Sequence, residues 1–176
     1  GNTIYNDTAE IIIDEENVLK FTSKNDLKKI RGGKVSMIFQ EPMASFAPAI
    51  KIGHQMVEQL MLHKPLDKKE AKNISIDMLS RVGIADAEKR FNQYAFELSG
   101  GMRQRAMIAM ALSTMPKLLL ADEPTTALDV TIQAQVINLM KDIIKEFNMG
   151  VIFITHDLGV IAQVAVDVAV MYLGSV

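Results

Sequence analysis

The sequence predicts an α/β fold, in which a mostly parallel sheet is flanked by helices and carries an inserted helical subdomain. Between residues 117 and 172, apolar segments of strand length alternate with segments of helical periodicity. Strands joined by helices in this way run parallel, and their crossovers are right-handed. Residues 43–95 are mostly helical and interrupt the alternation, so we interpret them as an insertion. We expect helices on both faces of the sheet, because parallel sheets are usually covered on both sides.

The first part of the chain is expected to contain two strands and a short helix. Residues 9–13 predict a short strand, and residues 24–30 predict one or two helical turns. Two glycines at residues 32–33 then break the chain. The run KVSMIF at residues 34–39 is typical of a buried strand, and it ends at Gln40.

The remaining elements follow from the spacing of apolar residues. Residues 52–62 and 67–82 predict two helices, and Asp67 is suited to cap the second. Residues 83–94 are rich in turn-forming residues. The last part of the chain then predicts a helix at 99–114, a strand at 117–121, a helix at 130–147, a strand at 151–155, a helix at 157–164 and a strand at 166–172.

Composition limits the kinds of protein that this chain can be. The absence of cysteine excludes disulfides and thiolate metal sites. The formal charge of −2 gives no reason to expect general binding to nucleic acid. No apolar run reaches the roughly 18 residues that a membrane-spanning helix needs, so we expect none. We interpret the 12 methionines as adaptable core residues rather than as a binding surface.

Two adjacent carboxylates, Asp122 and Glu123, follow the apolar strand LLLA. Ligands of parallel α/β sheets bind beyond the carboxyl ends of the strands. Asp122 could therefore hold Mg²⁺, and Glu123 could accept the proton of an attacking water as a general base. An isolated Asp-Glu pair more often only begins a loop, but the preceding apolar run favours the functional interpretation.

A second candidate site is the start of the helix at 99–114. Ser99 is suited to cap this helix, and Gly100 and Gly101 would leave backbone N–H groups open to a phosphate. A capped helix after a tight turn would have the same sequence, so both interpretations stay open. We expect Arg103 and Arg105 to be solvated surface residues rather than phosphate ligands.

Three further side chains could take part in the site. His156 follows the strand at 151–155, so it should emerge at the same edge of the sheet as Glu123 and could contact a phosphate or a carboxylate. Gln40 follows another strand and could reach a metal or a water through its amide oxygen. Structural roles are equally open for His156 and are favoured for Gln40. Asp129 is suited to cap the helix at 130–147.

Five segments resemble the motifs of an ABC-transporter nucleotide-binding domain, and they occur along the chain in the same order as in that family. LSGGMRQR (98–105) resembles the signature loop, and LLLADE (118–123) resembles the Walker B strand. TALD (126–129) is similar to the D-loop, IFQEP (38–42) to the Q-loop and ITHD (154–157) to the H-loop. The resemblance implies a P-loop NTPase-like fold, which is incomplete because none of the 176 residues belongs to a Gly-x-x-x-x-Gly-Lys-Ser/Thr loop.

The sequences of these motifs are similar to those of the ATPase subunits of oligopeptide and dipeptide importers, a group that also includes nickel importers. This similarity covers about residues 27–174, and it departs from the group at Ala47, where Asn is common, and at Val166, where an acidic residue is common. The resemblance implies three parts of the chain. They are an N-terminal core segment at 1–42, a helical subdomain at 43–97, and a core segment at 98–176 that carries the signature and Walker B motifs.

The resemblance also implies roles, cofactors and partners. The catalytic residues would be Glu123 and His156, and Mg²⁺ would be held by Asp122 and Gln40. The residues implied in binding ATP are Gln40, Ser99, Gly100, Gly101 and Asp129. The implied partners are a second ABC ATPase subunit, identical or related, and transmembrane permease subunits, with no nucleic acid. The protein would lie peripherally on the cytoplasmic face of the cell membrane.

The family's Walker A loop and its adenine-stacking aromatic residue lie upstream of the matched segment. We therefore interpret the chain as a fragment or a remnant, and we expect it to be inactive as an ATPase when alone. An alternative is a non-catalytic module that supplies only its signature loop to a partner's nucleotide. A DNA-repair or translation ATPase is a third class, but the chain has neither the basic patches nor the long coiled-coil segments expected of one.

Overall fold

A three-stranded parallel sheet forms the centre of the computed structural model, which describes residues 8–21, 23–41, 45–125 and 128–176. The elements in chain order are β1 (Ile12–Ile13), β2 (Glu16–Asn17), α1 (Lys24–Ile30), β3 (Val35–Ile38), α2 (Ile52–His63), α3 (Lys68–Arg81), α4 (Ala87–Phe91), α5 (Gly100–Ser113), β4 (Leu118–Asp122), α6 (Val130–Glu146), β5 (Gly150–Ile154) and α7 (Leu158–Val164). Strands β1 and β2 form a separate antiparallel hairpin. The α/β class and the parallel direction of the main sheet are as predicted.

Strand β4 is the central strand of the sheet, with β3 on one side and β5 on the other. Ile38 at the end of β3 lies opposite Ala121, and Asp122 at the end of β4 lies opposite Ile154. The carboxyl ends of all three strands therefore meet at one edge. This register brings the residues that follow the strands close to one another.

Only one face of the sheet is covered by helices in the part of the chain that the structure describes. Ile38, Leu119 and Ala121 are fully buried in one hydrophobic cluster with residues of α5 and α6. On the opposite face, Ile152 and Ile154 are 52% and 49% exposed. The expectation that both faces are covered is wrong for these residues. The strand order advances in one direction, so right-handed crossovers place the connecting helices on the same face.

The helices α2, α3 and α4 pack together and against α5. The boundaries of α2 and α3 agree closely with the helices predicted at 52–62 and 67–82, whereas α4 lies in the segment predicted as turn-rich. Asp67 caps α3 in a capping box with Glu70. Gly53 on α2 leaves the space that the Phe91 ring of α4 occupies. These helices form one buried unit, while the limits 43 and 97 of a separate subdomain remain a prediction.

Two predicted strands differ from the structure. The strand predicted at 9–13 is reduced to Ile12–Ile13. The strand predicted at 166–172 is wrong, because this segment begins with a bend and joins no strand, and its only bridge among the described residues joins Tyr172 to Ser175. Val166 is 96% exposed. Alternating apolar residues form a strand only when a neighbouring strand takes up their backbone hydrogen bonds.

Some predicted features lie outside the described residues, namely the segments 1–7 and 42–44, Thr126 and Ala127. They include the end of the Q-loop motif and the start of the D-loop motif. Within the described ranges, no helix combines the length and the apolar character that crossing a membrane requires.

Candidate functional site

The candidate site lies at the carboxyl edge of the sheet, where three side chains meet. Gln40 follows β3, Glu123 follows β4 directly, and His156 follows β5. The Nε2 atom of Gln40 donates a hydrogen bond of 2.9 Å to Glu123 Oε2. The Nδ1 atom of His156 lies 2.8 Å from Glu123 Oε1. The convergence expected from the strand order is therefore present, with Glu123 at its centre.

The backbone holds Glu123 in a constrained conformation. Its φ of 45° lies in the left-handed region, which is unfavourable for a residue with a side chain. Its N–H donates a hydrogen bond of 2.9 Å to the carbonyl of Ile154, one residue beyond the end of β4. This bond to β5 turns the Glu123 side chain toward the strand ends, where its carboxylate is only 19% exposed.

The two neighbours of Glu123 keep atoms available for a ligand. An ionised carboxylate only accepts hydrogen bonds, so the short contact requires a proton on Nδ1 of His156 and leaves Nε2 for another group. The imidazole is 79% exposed. Gln40 uses its amide nitrogen toward Glu123, so its oxygen remains the atom that could contact a metal or a water.

Asp122 is the last residue of β4 and is partly buried. It alternates with Leu118 and Leu120, so it belongs to the open face of the sheet. Its carboxylate and the Gln40 amide oxygen are the kinds of ligand that Mg²⁺ accepts, together with water and phosphate oxygens. Among the described residues, no group of three or more His, Asp or Glu side chains could hold a metal by itself. A metal role for Asp122 and Gln40 stays a prediction.

The residues Ser99, Gly100 and Gly101 begin α5. The Ser99 hydroxyl caps the helix by accepting a hydrogen bond of 3.3 Å from the N–H of Met102. A Cβ atom at Gly100 would meet no heavy atom within 4 Å, whereas at Gly101 it would contact Leu128. The first N–H groups of a helix have no acceptor within the helix. Gly100 is therefore an exposed position where an anion could approach them.

Asp129 and Asp157 cap the two helices that flank β5. Asp129 accepts a hydrogen bond of 3.0 Å from the N–H of Ile132 at the start of α6, as predicted for a cap. Asp157 accepts from Gln133 of α6 and from the N–H groups of Gly159 and Val160. These hydrogen bonds, with that from Gln133 the largest cause, hold the pKa of Asp157 below its usual value. Because Asp157 directly follows His156 in the chain, these bonds fix the backbone next to His156.

Arg105 and Gln104 have contacts that the sequence did not indicate. Arg105 donates a hydrogen bond of 3.1 Å to the Gly83 carbonyl, so the expectation of a merely solvated side chain is wrong for it. Gln104 is fully buried, and its Nε2 donates to the carbonyl of Pro124, directly after Glu123. A signal for its burial was present, because Gln104 precedes Met107, Ile108 and Ala111 at the spacing of one helix face.

Comparison with known proteins agrees with this geometry. The family model described as "ABC transporter" matches residues 2–126, which is more than half of the chain. The chain belongs to the ABC transporter family. Its α/β architecture is accordingly of the P-loop NTPase-like kind.

Several curated members of the ABC transporter family are closely similar to this chain. The oligopeptide transport ATP-binding protein AppD of Bacillus subtilis is 55% identical over 96% of the chain and 51% of its own length. OppD of the same organism is 51% identical over 96% of the chain and 47% of its own length. OppD of Haemophilus influenzae is 56% identical over 85% of the chain and 46% of its own length. The chain spans about half the length of these relatives.

Solved structures of the family share the fold. The dimeric post-hydrolysis state of the ATP-binding cassette MJ0796, bound to ADP and Pi, aligns with a TM-score of 0.76 at 27% identity. The alignment covers 86% of this chain and 64% of that cassette. CbiO1 of Clostridium perfringens, part of an ABC transporter complex, aligns with a TM-score of 0.73 at 25% identity, over 89% of this chain and 59% of CbiO1.

Proposed function

We propose that this chain is part of the ATP-hydrolysing subunit of an ABC importer for oligopeptides or dipeptides. Curated relatives at about half identity are named oligopeptide transport ATP-binding proteins. The observation that carries the proposal is the Glu123 carboxylate, which is hydrogen bonded through both oxygens, by Gln40 on one side and His156 on the other. A carboxylate positioned in this way suits a general base.

In the proposed reaction, a water oxygen attacks the γ-phosphorus of ATP while Glu123 accepts a proton from that water. The bond between the γ-phosphorus and the β–γ bridging oxygen breaks, and ADP and phosphate leave. His156 uses Nε2 to contact the γ-phosphate and uses Nδ1 to orient Glu123. The amide oxygen of Gln40 would contact the bound metal or a water, so the position of Gln40 would depend on whether the site is occupied. When bound, Mg²⁺ would neutralise phosphate charge, and Asp122 and Gln40 are the residues that would hold it.

The segment Ser99, Gly100 and Gly101 is proposed to complete the nucleotide site of a second ABC ATPase. The exposure of Gly100 and the free N–H groups at the start of α5 support this role. Asp129, the cap of α6, would lie at the same subunit contact. The exposed surface of the helical segment 43–97 is proposed to contact the permease. The protein would then lie peripherally on the cytoplasmic face of the membrane.

The proposal is tested with Glu123→Gln in the full-length protein. Loss of a general base lowers kcat by about 10²–10⁴-fold, and the uncharged side chain should leave ATP affinity unchanged or higher. Asp142→Asn on the exposed side of α6 is a control that removes one carboxylate away from the site. Hydrolysis by Glu123→Gln at the rate of the control would overturn the role of Glu123.

A second candidate function applies to the 176-residue chain by itself. It contains the signature segment but no Gly-x-x-x-x-Gly-Lys-Ser/Thr loop, so as an isolated polypeptide it could act only by completing the site of a partner. Mixing it with a complete homologue should raise the ATPase rate if it supplies the signature segment. If the ATPase rate of the mixture equals the sum of the rates of the two separate proteins, that function is excluded.

A further inference from the structure

Gln104 is an amide buried in the interior of α5, four residues after Gly100 begins the helix. Its Nε2 crosses to another element and donates to the carbonyl of Pro124, which is itself buried. The Cα atom of Gln104 lies roughly 6 Å along the helix axis from that of Gly100, because an α-helix rises about 1.5 Å per residue. One side chain thus joins the helix of the signature segment to the turn that carries Glu123.

The turn at Glu123 is held from two directions. On one side, the Glu123 N–H donates to Ile154 of β5, and on the other, Pro124 accepts from Gln104 of α5. The left-handed φ of Glu123 is unfavourable and persists only where its surroundings impose it. A displacement of α5 would move the Pro124 carbonyl and, through it, the Glu123 carboxylate.

Only one end of the Gln104 amide is hydrogen bonded among the described residues. The Oε1 atom of Gln104 is buried and has no hydrogen-bond partner among the described residues. A buried acceptor without a partner is unfavourable, and an apolar side chain of similar shape would remove it but would leave the buried Pro124 carbonyl without its donor. Methionine has this shape and would pack with Met107 and Ile108 on the same face of α5.

We infer that Gln104 is a positioning residue, which couples the signature segment Ser99–Gly101 to the general base Glu123 of the same chain. The inference rests on the proposed ATPase function. When a phosphate group contacts the start of α5, the rigid helix transmits the shift through Gln104 to Pro124. The position of Glu123 then depends on whether the signature segment is engaged.

The test uses the full-length protein with Gln104→Met. Because Gln104 acts on the position of the base, kcat should fall at least about tenfold while KM for ATP stays within about twofold. Gln59→Met is the matched control. The Gln59 amide also donates to a backbone carbonyl, that of Met110 in α5 at 3.3 Å, but it does not contact the Pro124 turn. The control should retain the wild-type kcat.

A double variant separates positioning from a general structural effect. If Gln104 acts only through Glu123, Gln104→Met should lower kcat no further when Glu123→Gln is already present. A structural role would lower kcat in both backgrounds by the same factor. Gln104→Asn keeps an amide but withdraws it from Pro124, so it should reproduce the loss of kcat and replaces Gln104→Met if that variant does not fold.

The outcomes distinguish the inference from the proposed function. If the wild-type full-length protein hydrolyses no ATP, the proposed function is wrong. If the wild type is active and folded Gln104→Met or Gln104→Asn has the kcat of Gln59→Met, only the coupling is overturned. The coupling is likewise overturned if the losses from Gln104→Met and Glu123→Gln multiply.

Discussion

His156 Nδ1 lies 2.8 Å from Glu123 Oε1, although the two residues are 33 positions apart in the chain. The contact exists because β4 and β5 are adjacent and parallel, so their last residues share one edge. It gives the exposed imidazole a fixed orientation, and the same carboxylate also binds Gln40 through its other oxygen. The three side chains are therefore expected to act as a unit.

A double-mutant cycle tests this unit. In the full-length protein, His156→Ala should lower kcat about 100-fold and Gln40→Ala about tenfold, and each change should have a smaller effect when Glu123→Gln is present. The reason is that both side chains orient the same carboxylate. Steady-state ATPase assays of the single and double variants provide the measurement. Strictly multiplicative losses would show that His156 and Gln40 act independently of Glu123.

Gly100→Ala is expected to separate stability from activity. A methyl group there meets no atom within 4 Å, and alanine is a better helix former, so the free energy of unfolding should stay equal or rise by up to about 1 kcal/mol. The methyl group would nevertheless stand where a phosphate approaches the N–H groups, so ATPase activity should fall at least about tenfold.

Chemical denaturation and ATPase assays provide the two measurements for Gly100→Ala. Gly150→Ala at the start of β5 is the control, because its added Cβ would make ordinary contacts at 3.5 Å or more. A Gly100→Ala variant that keeps full activity would count against the signature role.

The pKa of Asp157 predicts a pH dependence of stability. Its folded pKa is lowered, first by Gln133 and then by the N–H groups of Gly159 and Val160. The stabilisation is therefore complete above the ordinary value of 3.8 and is lost as the pH falls through that value and the lower folded one. Urea titrations of the wild type and of Asp157→Asn between pH 3 and 7 would measure it.

The difference in unfolding free energy between wild type and Asp157→Asn should be largest at neutral pH and should shrink in acid. A difference that is independent of pH would mean that the charge of Asp157 does not stabilise the fold.

Gly53→Ala should destabilise the helical unit. An added Cβ would collide with the ring of Phe91, which is 4% exposed and cannot move without disturbing the core. Overpacking of this kind costs about 1–3 kcal/mol. Thermal or urea unfolding measures the loss, and Phe91→Leu in the same chain should recover part of it. Equal stability of Gly53→Ala and wild type would contradict the close packing of α2 on α4.

The meeting of Gln40, Glu123 and His156 at one edge of the sheet could be predicted from the sequence, because apolar runs show where strands end. Apolar runs precede Glu123 and lie close before Gln40 and His156, and parallel strands bring their carboxyl ends together. The covering of the sheet could not be predicted in this way, because it depends on strand order, which local patterns do not contain. The strand expected at 166–172 was wrong for the same reason, since pairing needs a neighbour that the pattern cannot supply.

Gln104 shows a different limit of sequence reasoning. Its position on the buried face of α5 could be read from periodicity, but a buried amide is identified as a link only when its acceptor is known. That acceptor, Pro124, lies 20 positions away and is brought close by the packing of α5 on the sheet. The catalytic, metal-binding and nucleotide-binding roles of the candidate site residues all remain predictions.

The bond from the Glu123 amide to Ile154 adds one rung to the β-ladder beyond β4. The last hydrogen bond of a β-ladder opens first, because no pairing beyond it helps to hold it closed. Warming or mild denaturant would therefore loosen Glu123, the proposed general base, while the core strands stay protected from hydrogen exchange. Under the proposed function, inactivation would precede melting, and the temperature at which activity is lost would be set by the few hydrogen bonds that hold the Glu123 turn rather than by the whole domain.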